Sequence, residues 1–372
     1  MYVSTLATLP PRALLRRTRC RRDDLVGEGA VAYRWGRDAI WWALETFGLG
    51  RGDTVLLPAS CCNVVLEPFI ERGIRITYYA LSGTLQYSLE DIERRLDPTT
   101  RAVYVIHYFG FPQQPSAVRA LCDRRGLLLL EDCAHVLLGS AEHGRLGGFG
   151  DAAIFSLRKI LPVPDGGCLR LNGPHRPPRP PLRRLERAAA LGTAKLLAYD
   201  LGRRGLLPIQ QAKAVWRRGQ GGASQTTGVN DPGRRHDLTM SHLSEWIVGR
   251  IDPAQVVERR RAHFHYWLEH LPAHPKLRPL HAMLPEGVTP YSFPIVVDGA
   301  PRVLAQLRRQ GFDFEPTLNA PFYEIAGLSN PDERFHEVEA VAAGLISVPV
   351  HQALTAASLE AMRRALAEAV CA

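Results

Sequence analysis

Residues 131–167, EDCAHVLLGSAEHGRLGGFGDAAIFSLRKILPVPDGG, bring together the side chains of this sequence best suited to chemistry. Asp132 ends an apolar run, and in an α/β sheet ligands are held at the carboxyl ends of strands. Lys159 follows a second apolar run and precedes a Pro- and Gly-rich turn, so its amine is expected to reach into a cleft instead of lying on a helix face. An amine so placed can condense with a carbonyl once uncharged, a form favoured by partial burial or by a neighbouring cation such as Arg158. Ser156 could donate its hydroxyl to a phosphate, and His135 could donate a ring N–H to an oxygen. Taken singly, each has a plainer alternative. Arg-Lys pairs are usually solvated, Glu131 and Asp132 could cap a following helix, loop serines mostly satisfy backbone groups, and a lone His is often a core residue. The order is what distinguishes them: an acidic strand end, G-R-L-G-G-F-G-D, a strand, S-L-R-K, and D-G-G entering another strand.

The elements around these residues alternate. Strand-like runs fall at 54–58, 74–80, 102–108, 126–132, 151–157 and 166–172, with helical stretches at 38–47, 64–72, 89–96 and 116–125. That alternation predicts a mostly parallel sheet with helices on its faces. A long helix is predicted from about Met240 to Leu268, kinked at Pro253. A small α/β unit follows, with strands at 291–297 and 345–350 and helices near 302–310, 331–343 and 357–370. The predicted organisation is a basic N-terminal arm (1–30), a large domain (31–245) with a basic Pro- and Arg-rich insertion at about 173–236, and a small C-terminal domain (246–372).

The sequence has 372 residues, 46% hydrophobic and 22% charged, enough to bury a large core. No stretch approaches the roughly 20 apolar residues of a membrane span, and the Arg-rich N-terminus lacks the apolar centre of a secretory signal, so a cytoplasmic location is expected. The 7 cysteines are scattered and odd in number, which suggests neither a disulfide framework nor a metal site. The net charge of +9 favours anionic partners. A span in HRPPRPPLRR (175–184) is expected to be extended, and the helical part at 182–201 to pack on the protein itself.

The ordered segment resembles the DegT/DnrJ/EryC1/StrS sugar aminotransferases, within the fold-type I, aspartate-aminotransferase-like enzymes that use pyridoxal 5'-phosphate (PLP). Further matches are G-R-D-A-I (36–40), G-R-G-D-T-V-L-L-P (50–58), V-I-H-Y-F-G (105–110), M-S-H-L-S-E-W-I (240–247) and V-P-V-H-Q-A-L-T (348–355). The resemblance implies that Lys159 carries the cofactor as a Schiff base and shuttles a proton, and that Asp132 holds the ring nitrogen. It also implies that Gly36, Arg37 and Asp38 offer backbone N–H groups to the phosphate with Ser156 adding a hydroxyl, and that His135 stands near the phenolic oxygen. It further implies a homodimer, an amino-acid donor such as glutamate, and a keto group on a nucleotide-linked sugar as acceptor. Three positions depart from the pattern: Ser60, Cys61 and Cys62 replace a ring-stacking aromatic, Ser156 and Lys159 are closer together, and Asp237 falls where an Asn is expected.

Other readings stay open: a different PLP reaction on the same fold, or a non-catalytic binding protein of this fold that uses its basic stretch. A nucleic-acid partner is not expected, since charge runs are usually solvated faces. A nicotinamide enzyme lacks support, because ASCCN after TVLLP is not the glycine-rich turn a dinucleotide needs.

Overall fold

The computed structural model describes residues 1–16, 18–141, 144–177, 184–209, 236–316 and 335–372. The apolar runs of the first half form one sheet: β2 (Val31–Tyr33), β3 (Thr54–Pro58), β4 (Arg75–Tyr79), β5 (Thr100–Ile106), β6 (Leu128–Cys133), β9 (Ala152–Ser156) and β10 (Gly167–Leu171). β1 (Val3–Ser4) lies elsewhere, and β7 (Ser140–Ala141) and β8 (Gly144–Arg145) pair with each other. The spatial order is β2-β10-β9-β6-β5-β3-β4, and β10 alone runs against its neighbours. Every residue of β3 and β9 is buried. With helices on both faces, such strands read as continuous apolar runs instead of alternating ones.

The helices of this half are α1 (Arg22–Val26), α2 (Gly36–Thr46), α3 (Asn63–Glu71), α4 (Leu89–Arg94), α5 (Pro115–Arg125) and the single turn α6 (Leu157–Ile160). The strand directions bring the chemistry together. β6 and β9 run parallel with Asp132 opposite Ile154, so Asp132 and Ser156 lie at the same edge. β2 runs the same way, and α2 starts just beyond its carboxyl end. Gly167 pairs with Ser156 across the β9–β10 connection that carries Lys159. A Cβ on Gly167 would sit 2.2 Å from the Trp35 carbonyl, so only glycine lets the start of α2 rest against β10.

α7 (Glu186–Arg203), α8 (His242–Val248) and α9 (Pro253–His270) follow. The single kinked helix expected over 240–268 is two helices. Pro253 occupies the first turn of α9, where its missing N–H has no partner to lose, and Asp252 caps that turn by accepting from the Gln255 N–H at 3.3 Å. Met240 lies outside both, buried against Gly166. The helix expected at 182–201 appears as α7. Residues 178–183 and 210–235, half of the basic insertion, lie outside the described residues, as does 331–334 of a predicted helix.

The C-terminal part is a four-stranded antiparallel sheet, β11 (Leu277–Pro279), β12 (Ser292–Val297), β14 (Glu315–Pro316) and β15 (Leu345–Pro349), in the order β11-β12-β15-β14. α10 (Ala300–Gln310), α11 (His336–Gly344) and α12 (Ala356–Cys371) belong with it. The N-terminal residues do not form a free arm. β1 pairs in parallel with β13 (Phe312–Asp313), and Tyr2, Val3, Ala7 and Leu9 are buried. Those contacts tie the chain start to the C-terminal part.

Candidate active site

Asp132 is buried at the end of β6, where no helix follows for it to cap. Its Oδ1 accepts from the Ala134 N–H and its Oδ2 from the Tyr104 hydroxyl, both at 2.8 Å. Burial, and after it the Asp132 charge, pushes the Tyr104 phenol well above its ordinary value, so Tyr104 is a fixed donor. Glu131, on the opposite side of the strand, has a structural task. It accepts from the Gly147, Phe149 and Gly150 N–H groups and meets His107 Nε2 at 3.1 Å, which braces the L-G-G-F-G turn. Burial alone would raise the Glu131 pKa; the bonds from His107 and these amides outweigh it and hold the carboxyl below its usual range.

His107, Glu131 and Cys133 place potential metal ligand atoms within 4.8 Å of one another. Their bonding belongs to a brace. His107 Nδ1 accepts from the Gln113 N–H, Glu131 is fully engaged, and burial raises the Cys133 thiol well above the value at which it ionises readily.

Lys159 lies on α6, a single helical turn where a position off any helix was expected, and its Nζ is 3.0 Å from His135 Nε2. His135 is clamped. Its ring stacks on Tyr291 at 4.4 Å with an interplanar angle of 2° and lies 6.0 Å from Phe109. Burial, then the nearby Lys159, holds the imidazole well below its usual pKa, so the ring is neutral. Its Nδ1 accepts from the Phe109 N–H at 3.2 Å, which leaves the single ring proton on Nε2. The ring nitrogen nearest Lys159 Nζ is thus Nε2, and the amine and the imidazole form one buried pair.

At the start of α2, Trp35 and Asp38 form a reciprocal cap, with the Trp35 N–H donating to Asp38 Oδ2 at 3.0 Å. The Asp38 N–H is engaged by the Trp35 carbonyl at 3.1 Å, while Gly36 and Arg37, as first-turn residues, have no helical acceptor for theirs. The Arg37 side chain turns toward Glu67, 3.6 Å away. Ser156 is buried beside Gly36, whose Cβ position lies 3.9 Å from that of the serine. The structure thus brings Ser156 and the α2 start together at one point. Asp38 also holds His236, whose Nδ1 and Nε2 lie 3.0 and 2.7 Å from Asp38 and Glu71. Burial would lower the His236 pKa, but the two carboxylates raise it. Through His236 the chain leading to Asp237 and α8 is anchored beside the α2 start.

Several participants are absent from the sequence reading. Tyr104 lay unmarked within a predicted strand, and Tyr291 headed another. Arg260, buried in α9, donates to the carbonyls of Ile160, Pro290 and Tyr291 and to Gln352 Oε1 at 2.8 to 3.1 Å. Its helix and the strand it serves lie about a hundred residues beyond Lys159, and no local pattern links them. No aromatic ring occupies Ser60–Cys62; Cys61 is buried, Cys62 is exposed, and the Tyr108 hydroxyl donates to the Ser60 carbonyl.

The pattern of the DegT/DnrJ/EryC1/StrS aminotransferase family matches residues 25–176, which hold every one of these cleft residues except Tyr291, Arg260 and His236. This segment belongs to that family. The family relatives include the dTDP-4-dehydro-2,3,6-trideoxy-D-glucose 4-aminotransferase of Saccharopolyspora spinosa, 32% identical over 174 residues, 45% of each chain. The GDP-perosamine synthase of Vibrio cholerae is 32% identical over 141 residues, 37% of this chain and 38% of its own. The chain thus spans less than half the length of these curated relatives. Across its whole length it has the fold of solved aminotransferases. Helicobacter pylori PseC superposes with a TM-score of 0.72 at 14% identity over 99% of both chains. TlmJ from Streptoalloteichus hindustanus gives 0.69 at 22% identity, over 98% of this chain and 92% of that one. The PLP fold-type I class expected for the family is therefore the fold of this chain.

Proposed function

We propose that this chain is a PLP-dependent aminotransferase, taking an amino group from an amino acid such as glutamate and giving it to a keto group of a nucleotide-linked sugar. The observation that carries this reading is the Lys159–His135 pair, in which the lysine amine lies 3.0 Å from the ring nitrogen of a buried, neutral imidazole. A lysine amine held in such a cleft is placed to condense with a carbonyl.

The residues present fit PLP. The free first-turn N–H groups of Gly36 and Arg37, beside the Ser156 hydroxyl, suit a phosphate at a helix start. Asp132, kept an acceptor by Tyr104 and Ala134, suits a protonated ring nitrogen. PLP bound there would supply a ring that takes up the electrons left when a carbon loses its proton. The chain's own groups do the rest. Lys159 Nζ would carry the proton between the substrate carbon and the cofactor, and His135 Nε2, 3.0 Å away, orients that nitrogen. Tyr291 and Phe109 prevent the imidazole from turning, and Arg260 holds the Ile160 carbonyl that closes the Lys159 turn. Related family activities, a homodimeric assembly and a cytoplasmic location belong to the same proposal; among the described residues no helix is long and apolar enough to cross a membrane.

The test is chemical fixation. After incubation with PLP and borohydride reduction, peptide mass analysis should find the added pyridoxyl group on Lys159, and Lys159→Ala should abolish it. Label elsewhere, or undiminished label in the variant, overturns the reading. Transamination itself is read by release of the keto acid from glutamate with a thymidine- or uridine-diphosphate-linked keto sugar.

A further inference from the structure

A cavity of about 70 Å³ opens where the N-terminal segment lies across the junction of α8 and α9, and Pro162, just past the Lys159 turn, forms part of its wall. The segment is tied down there. Thr18 donates its hydroxyl to the Gly249 carbonyl at 2.9 Å, Arg250 Nε donates to the Leu14 carbonyl at 3.0 Å, and Arg16 Nη1 donates to Gln255 Oε1 at 2.7 Å. Arg12, Arg16, Arg250 and Arg259 line the cavity, two from each side of this seam. The last three are each anchored by one edge of the guanidinium. Besides the bonds above, Arg250 Nη1 donates to the Trp246 carbonyl at 3.0 Å and Arg259 Nη1 to the Gln352 carbonyl at 3.3 Å. The Arg250 guanidinium also lies 3.5 Å from the Trp246 ring. Among the described residues Nη2 of Arg16, Arg250 and Arg259 has no acceptor, and none of the four arginines forms an ion pair.

Asp252 is the carboxylate in the described lining, and its Oδ1 accepts from the Gln255 N–H in capping α9. The start of α9 adds little to the cavity, because Pro253 has no N–H and Asp252 has taken that of Gln255. The charge comes from the arginines. Four guanidinium groups against one carboxylate leave the cavity positive, and an anion entering it would relieve their mutual repulsion. A guanidinium held by one edge presents its remaining N–H groups as a fork suited to phosphoryl oxygens. Volume sets the size of the guest. Cofactor-sized ligands fill pockets of roughly 300 to 1,000 Å³, whereas this cavity holds little more than one tetrahedral group. Its position gives it reach. Arg259 holds the Gln352 carbonyl, and Gln352 Nε2 donates at 3.1 Å to the carbonyl of Ile160, the residue after Lys159. One residue therefore joins the cavity to the Lys159 turn.

We propose that this cavity is an oxyanion site, separate from the cleft at Lys159, in which Arg12, Arg16, Arg250 and Arg259 bind one phosphoryl dianion and clamp the N-terminal segment onto the α8–α9 junction. Binding here is independent of the aminotransferase reading. The shared chemistry is a phosphoryl dianion, and the sources to separate are free phosphate and the phosphoryl end of a sugar phosphate.

The probes are inorganic phosphate and glucose 1-phosphate, titrated calorimetrically at constant ionic strength into the full chain with and without borohydride-fixed PLP. Binding at one site per chain is expected in both forms, and the tighter probe names the source. Arg12→Gln and Arg16→Gln should each weaken binding about tenfold, the loss expected for one charge-assisted contact. Both side chains are exposed, so neither variant should disturb folding. Arg187→Gln, on an exposed face of α7 and outside the cavity, should bind as the unaltered chain does. Unaltered affinity in both cavity variants overturns the proposal, as does no binding of either probe. An equal loss in Arg187→Gln marks general attraction to a basic chain and overturns it as well. Binding lost on PLP fixation assigns the ion to the start of α2 and overturns it too. Failure of PLP to attach to Lys159, while the cavity variants still weaken binding, sinks the aminotransferase reading and leaves the oxyanion site standing.

Discussion

At the scale of single residues, His135 lies 3.0 Å from the Lys159 amine, and replacing it separates packing from hydrogen bonding. In His135→Phe the ring stack between Tyr291 and Phe109 is retained, while the Nε2 donor and the Nδ1 acceptor vanish. PLP fixation on Lys159 should slow by about tenfold, corresponding to the roughly 1.5 kcal/mol of one hydrogen bond to a poised group. An unchanged fixation rate in a folded variant would show that the imidazole does no more than fill space. The chemistry-bearing residues were legible because Asp132, His135, Ser156 and Lys159 lie within one continuous run, each at a strand end or turn. Their tuning was not. The tautomer of His135 depends on the Phe109 N–H, 26 positions away, and the clamp on its ring on Tyr291, across the chain. Glu131 and Asp132 look equivalent in sequence, yet alternation along a strand sends one to the turn-bracing network and the other to the cleft.

At the scale of elements, the strands were legible since the central ones are buried on both faces and bounded by turn residues, as TVLLP is at 54–58. The helices α8 and α9 were not, because apolar spacing continues through the break between them. The deciding signal was Asp252-Pro253, a cap followed by the one imino acid that suits a first turn. This has a measurable consequence. Asp252→Ala should lower stability by about 1 kcal/mol through loss of the cap, whereas Pro253→Ala should change it by less than that. Urea unfolding reads both. A kinked continuous helix would give the reverse order, with relief on removing the proline. The short strands β1 and β13 escaped for a different reason: two residues carry no period, and each becomes a strand only by meeting the other across 309 positions.

At the scale of the whole molecule, the C-terminal part and the large sheet meet at Arg260. Its guanidinium is buried, its pKa is lowered by burial to about 10, and it remains charged at neutral pH with only neutral oxygens around it. Those oxygens belong to three regions: the Lys159 turn through Ile160, the Tyr291 segment through Pro290 and Tyr291, and the β15–α12 connection through Gln352. Gln352 Nε2 donates to the same Ile160 carbonyl at 3.1 Å, so two side chains from the C-terminal part hold the end of α6. Replacing Arg260 with Met leaves the Pro290 and Tyr291 carbonyls without this buried donor and should cost about 3 kcal/mol of stability. Stability alone does not distinguish a clamp on the fold from a clamp on the site. The distinguishing measurement is PLP fixation on Lys159 at low temperature, where Arg260→Met is still folded by near-ultraviolet dichroism. Fixation should be slowed in Arg260→Met and less so in Gln352→Met, which leaves the Arg260 bond to Ile160 in place. Fixation at the unaltered rate in a destabilised Arg260→Met would show that the guanidinium joins the two parts without positioning the lysine.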